Sequence, residues 1–372
     1  MAYALFWKEE SGMAVKIGLV GAGTMAQYHI AGYRRAGAEI AAVADRCGER
    51  GRALARELGA AYFPDLTSML ASGKADAVAI LAPNRFHAPM TLEALAAGVH
   101  VFCEKPPAVT AAEAVAMRDA ARRSGRILMF NLNNRARADV RAIVDFLKQG
   151  GAGRVNSAQA VWMRRTGIPG FGGWFTNREL AGGGPLIDLL HMIDLALCFL
   201  GEPEPDCVLA QTFDDFISNP DFKGPWGVAQ PGGVTDVENA CHGFVRFRTG
   251  QVLTLRCSWA EMIRSEEVSV AFQGTKAGGM LRRTFEVDGD ESTTEDLCEL
   301  YWQRGAEPVN REIEFVKDES MGRVESAENF IRVLKGEAEP LNTPDDAVRL
   351  MKIIDAAYRS AAAGAPVFVE RT

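Results

Sequence analysis

Short apolar runs alternate with helically spaced stretches over the first 130 residues. The runs lie at 15–20 (VKIGLV), 39–44, 76–81 (DAVAIL), 99–103 and 126–130 (RILMF). Between them, 25–36, 49–58, 89–97 and 111–123 place apolar residues at helical spacing. Continuous apolar strands separated by helices predict a parallel sheet covered on both faces, with right-handed crossovers. The fold class expected is α/β, opening with a doubly wound parallel sheet. From about residue 151 the pattern changes. Residues 155–163 (VNSAQAVWM) alternate like a half-buried strand, and 237–247, 251–259, 268–272 and 279–287 read as further strands. Short connections between consecutive strands predict a large, mostly antiparallel open sheet in an α/β C-terminal domain. One helix is predicted over 186–200, ended by Gly201 and Pro203, and another over 343–363 with Thr343 as its cap.

The expected organisation is a leader of flexible character at 1–12, a parallel-sheet domain at 13–134, an α/β domain with the open sheet at 135–342, and a terminal helix and tail at 343–372. The 372 residues agree with two domains at roughly 150 residues each. The net charge of −7 gives no global attraction for nucleic acid or anionic lipid. No stretch approaches the roughly 18 apolar residues of a membrane span. Seven cysteines with no C-x-x-C pair point to a reduced, cytoplasmic protein. The histidines and cysteines form no metal-ligand spacing, so no metal is expected.

The first strand-to-helix turn reads Gly21-Ala22-Gly23-Thr24-Met25-Ala26, a G-x-G-x-x-A sequence. Gly21 permits the tight turn, Gly23 lets backbone approach a pyrophosphate, and the helix start offers free N–H groups to phosphates. Asp45 ends the next strand about 20 residues further on, where a carboxylate accepts from ribose hydroxyls and repels a 2′-phosphate. NAD is therefore expected, with NADP possible because Arg46 offers either stacking on adenine or pairing with that phosphate. The later strand ends carry Pro83, Asn84 and His87 in one loop, and Glu104 and Lys105 in another. All five are expected at the cofactor.

In the second half, the glycine-rich stretch from 162 to 184 is too long for an ordinary connection. Trp162, Arg165 and Trp174 within it are candidate substrate contacts, with Arg165 hinting at an acidic sugar. The helix beyond carries Asp188, His191 and Asp194; residues three apart share a helix face, so Asp188 is expected to reach and orient the His191 imidazole. A surface Asp–His pair is the plainer alternative.

GAGTMAQYH, PNRFH at 83–87, EKP at 104–106 and GGGPLIDLLHMID at 182–194 together resemble the glucose–fructose oxidoreductase / inositol dehydrogenase / MocA family, over nearly the whole chain. The resemblance implies NAD or NADP, substrates that are sugars, cyclitols or related polyols, and a homodimer or homotetramer built through the open sheet. Carried over by position, Lys105, Asp188 and His191 become the catalytic residues. His191 would take the hydroxyl proton, Asp188 would orient it, and Lys105 would steady charge on the reacting oxygen. The family pattern resembles D-x-x-x-H, whereas here two residues separate the acid from the histidine; the helix start is expected to absorb the difference. An NAD-dependent glycoside hydrolase and a non-catalytic dinucleotide- or sugar-binding regulator are the alternative functions.

Overall fold

A computed structural model describes residues 14–285 and 293–370. The expected leader at 1–12 and the end of the run at 279–287 lie outside them. The chain divides into two compact units. One contains residues up to Ala108, Ala112–Arg137 and Ser320–Val348; the other contains Val109–Ala111, Ala138–Glu319 and Arg349 onward.

In the first unit, β1 (Lys16–Val20), β2 (Glu39–Ala44), β3 (Ala61–Phe63), β4 (Ala77–Ile80), β5 (His100–Cys103) and β6 (Leu128–Phe130) form a parallel sheet in the order β3-β2-β1-β4-β5-β6. The order reverses beside β1, the switch point at which doubly wound sheets open a crevice for ligands. Helices α1 (Ala26–Arg35), α2 (Gly48–Leu58), α3 (Leu66–Ala71), α4 (His87–Ala96) and α5 (Ala111–Ser124) supply the crossovers. β3 and α3 were not foreseen, because six- and three-residue elements give too short a pattern to register a period. β1, β4 and β5 are buried almost throughout, as strands covered on both faces must be.

Residues 320–342 were expected with the second domain and 343–348 with the terminal helix, yet Ser320–Val348 packs with the first. Its helix Arg323–Leu334 lies on α1, where a Cβ on Gly32 would collide with Val324 and Ala327. Phe330 stacks on Phe102 of β5 with ring centres 5.1 Å apart, and both belong to the core with Tyr33 and Ile331. An apolar helix face is buried wherever the sheet has room for it, and sequence distance does not decide the partner.

In the second unit, α6 (Ala138–Lys148) precedes β7 (Val155–Met163); α7 (Arg178–Ala181), α8 (Pro185–Asp188) and α9 (His191–Leu200) follow. Then come β8 (Pro205–Phe213), β9 (Ala240–Phe247), β10 (Val252–Ser258), β11 (Glu267–Gly274), β12 (Gly278–Phe285), β13 (Thr293–Arg304), β14 (Glu307–Glu312) and the short β15 (Val367–Phe368). They form one sheet in the order β14-β13-β12-β11-β7-β10-β9-β8-β15. Among the described residues every neighbouring pair is antiparallel except β7 and β10. The apolar α9 covers one face against β7 and β11. Leu209 and Phe244 remain exposed on neighbouring strands. The helix Pro344–Ala363 begins as expected: Thr343 Oγ1 accepts from Asp346 N–H (3.3 Å) and Asp346 Oδ2 accepts from Thr343 N–H (2.9 Å). Among the described residues no single helix is long and apolar enough to cross a membrane.

Candidate active site

In the first unit the glycine turn has the geometry its sequence requires. Gly21 has φ of 110°, and a Cβ there would strike the Leu81 carbonyl of the adjoining strand end. Gly23 faces open space, so nothing in the protein demands its lack of a side chain, and its backbone is open to a closely approaching ligand. α1 starts after Met25 with no side-chain cap and no acid in its first turn, and Thr24 beside it is exposed. An uncapped helix start with open glycine backbone before it suits a phosphate.

Asp45, at the end of β2, accepts from the N–H groups of Ala22 (2.7 Å) and Cys47 (2.7 Å), which ties β2 to the glycine turn. Its carboxylate also receives a forked Arg50 guanidinium at 2.9–3.1 Å. The cation paired with Asp45 is thus Arg50, whereas Arg46 was the one expected beside it; both are exposed. One turn into α2 brings residue 50 back to the strand end. These groups fit a dinucleotide: an anion-receptive turn followed by an acid placed for ribose.

Two residues expected at the cofactor have buried side chains that are hydrogen-bonded within the protein. His87 is fully buried, its Nδ1 2.7 Å from the Pro106 carbonyl and its Nε2 2.7 Å from the Ala82 carbonyl. It bridges the two loops at the ends of β4 and β5. Burial pushes its pKa down, while the two carbonyls pull it up. Glu104 is also buried: Oε1 accepts from His29 Nε2 (2.7 Å) and Asn131 Nδ2 (2.9 Å), and Oε2 from Lys105 N–H (3.1 Å). Burial raises the Glu104 pKa, but the hydrogen bonds and the His29 contact outweigh it and bring the carboxyl to about 2. Tyr33, whose pKa burial drives well above its ordinary value, lies 3.0 Å from the other His29 nitrogen. Glu104 and His87 therefore fix the loops that carry Lys105, Pro83 and Asn84. Asn84 is buried, while Pro83 and Lys105 are half-buried. Sequence reasoning missed His29 and Asn131, whose apolar surroundings resemble any helix or strand end.

In the second unit the strand register assembles a different cluster. β7 pairs parallel with β10, and β11 antiparallel with β7, so Met163, Ser258 and Glu267 lie side by side. The residues just beyond, Arg164, Trp259 and Glu266, emerge at that one end of the sheet. Glu266 Oε1 accepts from Trp162 Nε1 (3.0 Å) and lies 3.3 Å from Arg164 Nε. The Arg164 guanidinium sits over the rings of Trp162 (5.4 Å) and Trp226 (4.9 Å). Trp226 meets Trp259 edge-on at 6.2 Å, and Trp259 Nε1 donates to Asp188 Oδ2 (3.0 Å). Trp162 lies 6.3 Å from the His191 ring, which is itself buried. Aromatic side chains and one arginine thus connect Asp188 to His191 around the end of the sheet.

The single helix expected over 186–200 is broken. Asp188 ends α8, His191 begins α9, and the segment Arg178–Asp188 makes an angle of 53° with α9. The break falls within the shortened spacing between acid and histidine, so the two do not share one regular helix face. Asp194, the third polar residue of that stretch, is fully buried in the first turn of α9. The glycines before α8 serve close packing. A Cβ at Gly183 would strike the Tyr358 hydroxyl, and one at Gly184 would strike Glu238. Glu238 Oε1 accepts from Gly184 N–H (3.0 Å) and Tyr358 OH (2.8 Å), capping the start of the segment that carries Asp188.

Of the expected substrate contacts, Trp162 is in the cluster. Trp174 stacks on Phe175, which meets Trp226 edge-on at 5.1 Å. Arg165 is exposed and donates to the Arg264 carbonyl (3.1 Å); Arg164 is the buried arginine. Strand alternation was the available signal, since Trp162 and Arg164 share a face and Arg165 does not.

An anion-receptive glycine turn with its acid in one unit, and a half-buried acid with a buried imidazole in the other, define a dinucleotide-dependent oxidoreductase. The chain belongs to the glucose–fructose oxidoreductase / inositol dehydrogenase / MocA family: residues 15–132 match its NAD-binding Rossmann fold and residues 144–369 its C-terminal alpha/beta domain. It is 34% identical to D-glucoside 3-dehydrogenase of Escherichia coli (strain K12) over 95% of this chain and 97% of that one. A levoglucosan dehydrogenase in complex with NADH and levoglucosan has the same fold, with TM-score 0.82, 21% identity, and coverage of 96% and 100%. GenD2 from gentamicin A biosynthesis, in complex with NAD, aligns with TM-score 0.74 and 26% identity over 96% of this chain and 97% of that one.

Proposed function

We propose that the protein interconverts a secondary hydroxyl and a carbonyl on a sugar or related polyol, using NAD. The observation that carries the proposal is the buried cluster of indoles around Asp188 and His191. Indole faces suit the C–H face of a sugar ring, and a buried imidazole near a carboxylate suits proton transfer from a hydroxyl. The relative acting on D-glucosides, matched end to end, supports the same substrate class.

Bound nicotinamide dinucleotide supplies the two-electron acceptor or donor. Gly21, Gly23, Thr24, Met25 and Asp45 would hold its phosphate and ribose portions. His191 takes the proton of the substrate hydroxyl. Asp188, held by the Trp259 indole, orients the imidazole. Lys105, on the loop anchored by Glu104, donates to the reacting oxygen and opposes its developing charge.

The exposed Leu209 and Phe244 support a homodimer or homotetramer built on that sheet face. Cys47, Cys103, Cys198, Cys207, Cys241, Cys257 and Cys298 are all free thiols, in keeping with the reducing cytoplasm.

The test is NADH formation at 340 nm across a panel of glycosides, hexoses and cyclitols. Lys105→Ala and His191→Ala should each lower turnover by roughly 10²-fold or more while NAD affinity stays near wild type. Near-normal turnover in both variants would refute these roles. Release of free sugar without net NADH would point to a hydrolase instead.

A further inference from the structure

Arg164 is only 9% exposed, and its Nη1 is buried without a hydrogen-bond partner. A guanidinium costs heavily to bury and carries five N–H donors, so an unused one in the interior calls for an acceptor. The buried Nε1 of Trp226 likewise has no partner, and that ring lies directly against the same guanidinium. Two unanswered donors therefore belong to touching side chains, in the cluster that leads from Trp162 to His191 on one side and from Trp259 to Asp188 on the other.

The charges decide what kind of acceptor belongs there. Arg164 is matched by Glu266, which is 4% exposed and 3.3 Å away. Glu266 takes a second hydrogen bond from Trp162 Nε1 and so holds its place against the sheet end. Asp188 adds another carboxylate to the same cluster. The arginine of this cluster is thus already balanced, and an incoming carboxylate would be desolvated beside two acids. A neutral hydroxyl or ring oxygen satisfies the free N–H groups without that cost.

We propose that Arg164 is a substrate-binding residue that donates through Nη1 to an uncharged oxygen, and that the Arg164–Glu266 pair makes the site select neutral sugars over acidic ones. The inference rests on the oxidoreductase reading above and names the substrate class of that site. It replaces the acidic sugar suggested by the exposed Arg165.

The test measures binding to the NAD-loaded enzyme through intrinsic tryptophan fluorescence, since Trp162 and Trp226 flank Arg164. The probes are methyl β-D-glucopyranoside, free hexoses and cyclitols, each compared with its carboxylate counterpart where one exists, such as methyl β-D-glucuronide. The tightest binder should be uncharged, and its carboxylate counterpart weaker by about 10-fold or more. Arg164→Met should weaken the neutral probe by about 10-fold, with KM rising more than kcat falls. Glu266→Gln, isosteric with the native side chain, should narrow the neutral-over-acidic preference by a similar factor. Each variant must keep the thermal upshift given by NAD, which shows a folded dinucleotide-binding chain. Equal or tighter binding of the carboxylate by wild type, wild-type binding by Arg164→Met, or an unchanged preference in Glu266→Gln would overturn the proposal. Neutral probes that bind through Arg164 yet never yield NADH would instead defeat the oxidoreductase reading and leave the binding assignment standing. A panel without any binder would overturn both.

Discussion

Replacing Glu104 by Gln tests whether the loop carrying Lys105 is held by a buried charge. The carboxylate accepts from His29 Nε2, Asn131 Nδ2 and Lys105 N–H. Glutamine has the same shape, but one of its ends is a donor and must face a donor. Leaving a buried donor unanswered costs about 1–3 kcal/mol. A second route gives a similar size. The gap between an ordinary glutamate near 4.3 and Glu104 at about 2 corresponds to roughly 3 kcal/mol of folding stability. Because the folded-state value is depressed, that stability is present above the ordinary glutamate value and is lost as pH falls from about 4 toward 2. Glu104→Gln should therefore cost about 2 kcal/mol at pH 7, or roughly 4–8 °C in the melting of the Rossmann unit. The difference from wild type should shrink as pH falls to 3, since the glutamate of the unfolded chain is then protonated while folded Glu104, at about 2, still carries most of its charge, so part of the charge-dependent stability is gone. Urea titrations at pH 7, 5, 4 and 3 read both effects. A variant within about 0.5 kcal/mol of wild type at pH 7, or a difference that stays constant down to pH 3, would refute the reasoning.

Two further outcomes follow from the same geometry. Gly183→Ala sets a methyl group against the Tyr358 hydroxyl and should cost about 1–3 kcal/mol, measured by urea unfolding; a neutral effect would show that the close approach is dispensable. Asp45→Ala removes the ribose acceptor and frees Arg50, so NAD should bind about 10-fold more weakly while NADP loses less, as read by calorimetric titration. An unaltered preference for NAD would remove Asp45 from ribose recognition.

The dinucleotide half was legible because its determinants are local. A glycine turn, its flanking strand and helix, and an acid at the next strand end sit within 30 residues of one another, and local backbone geometry fixes their relation. Asp188 and His191 were legible as candidates for the same reason, but the helix break between them was not. Leu189 and Leu190 are good helix formers, and only packing around the segment opens the chain there. His87 and Glu104 were located at the right strand ends, but their partners within the protein, His29, Asn131 and the Ala82 and Pro106 carbonyls, were not foreseen. Sequence position places a residue at a loop but does not say whether its side chain faces in or out.

By itself, the sequence determined the two sheets, the order of strands and helices around the glycine turn, and the acid at the end of β2. Hydrophobic period and turn chemistry are carried by neighbours along the chain. Tertiary structure alone decided that helix Arg323–Leu334 would pack on α1, and that Trp162, Arg164, Trp259 and Glu266 would meet. Those meetings depend on strand register across a hundred residues. Register is set by the sum of many burial terms along the sheet, none of which is written at the positions that it brings together.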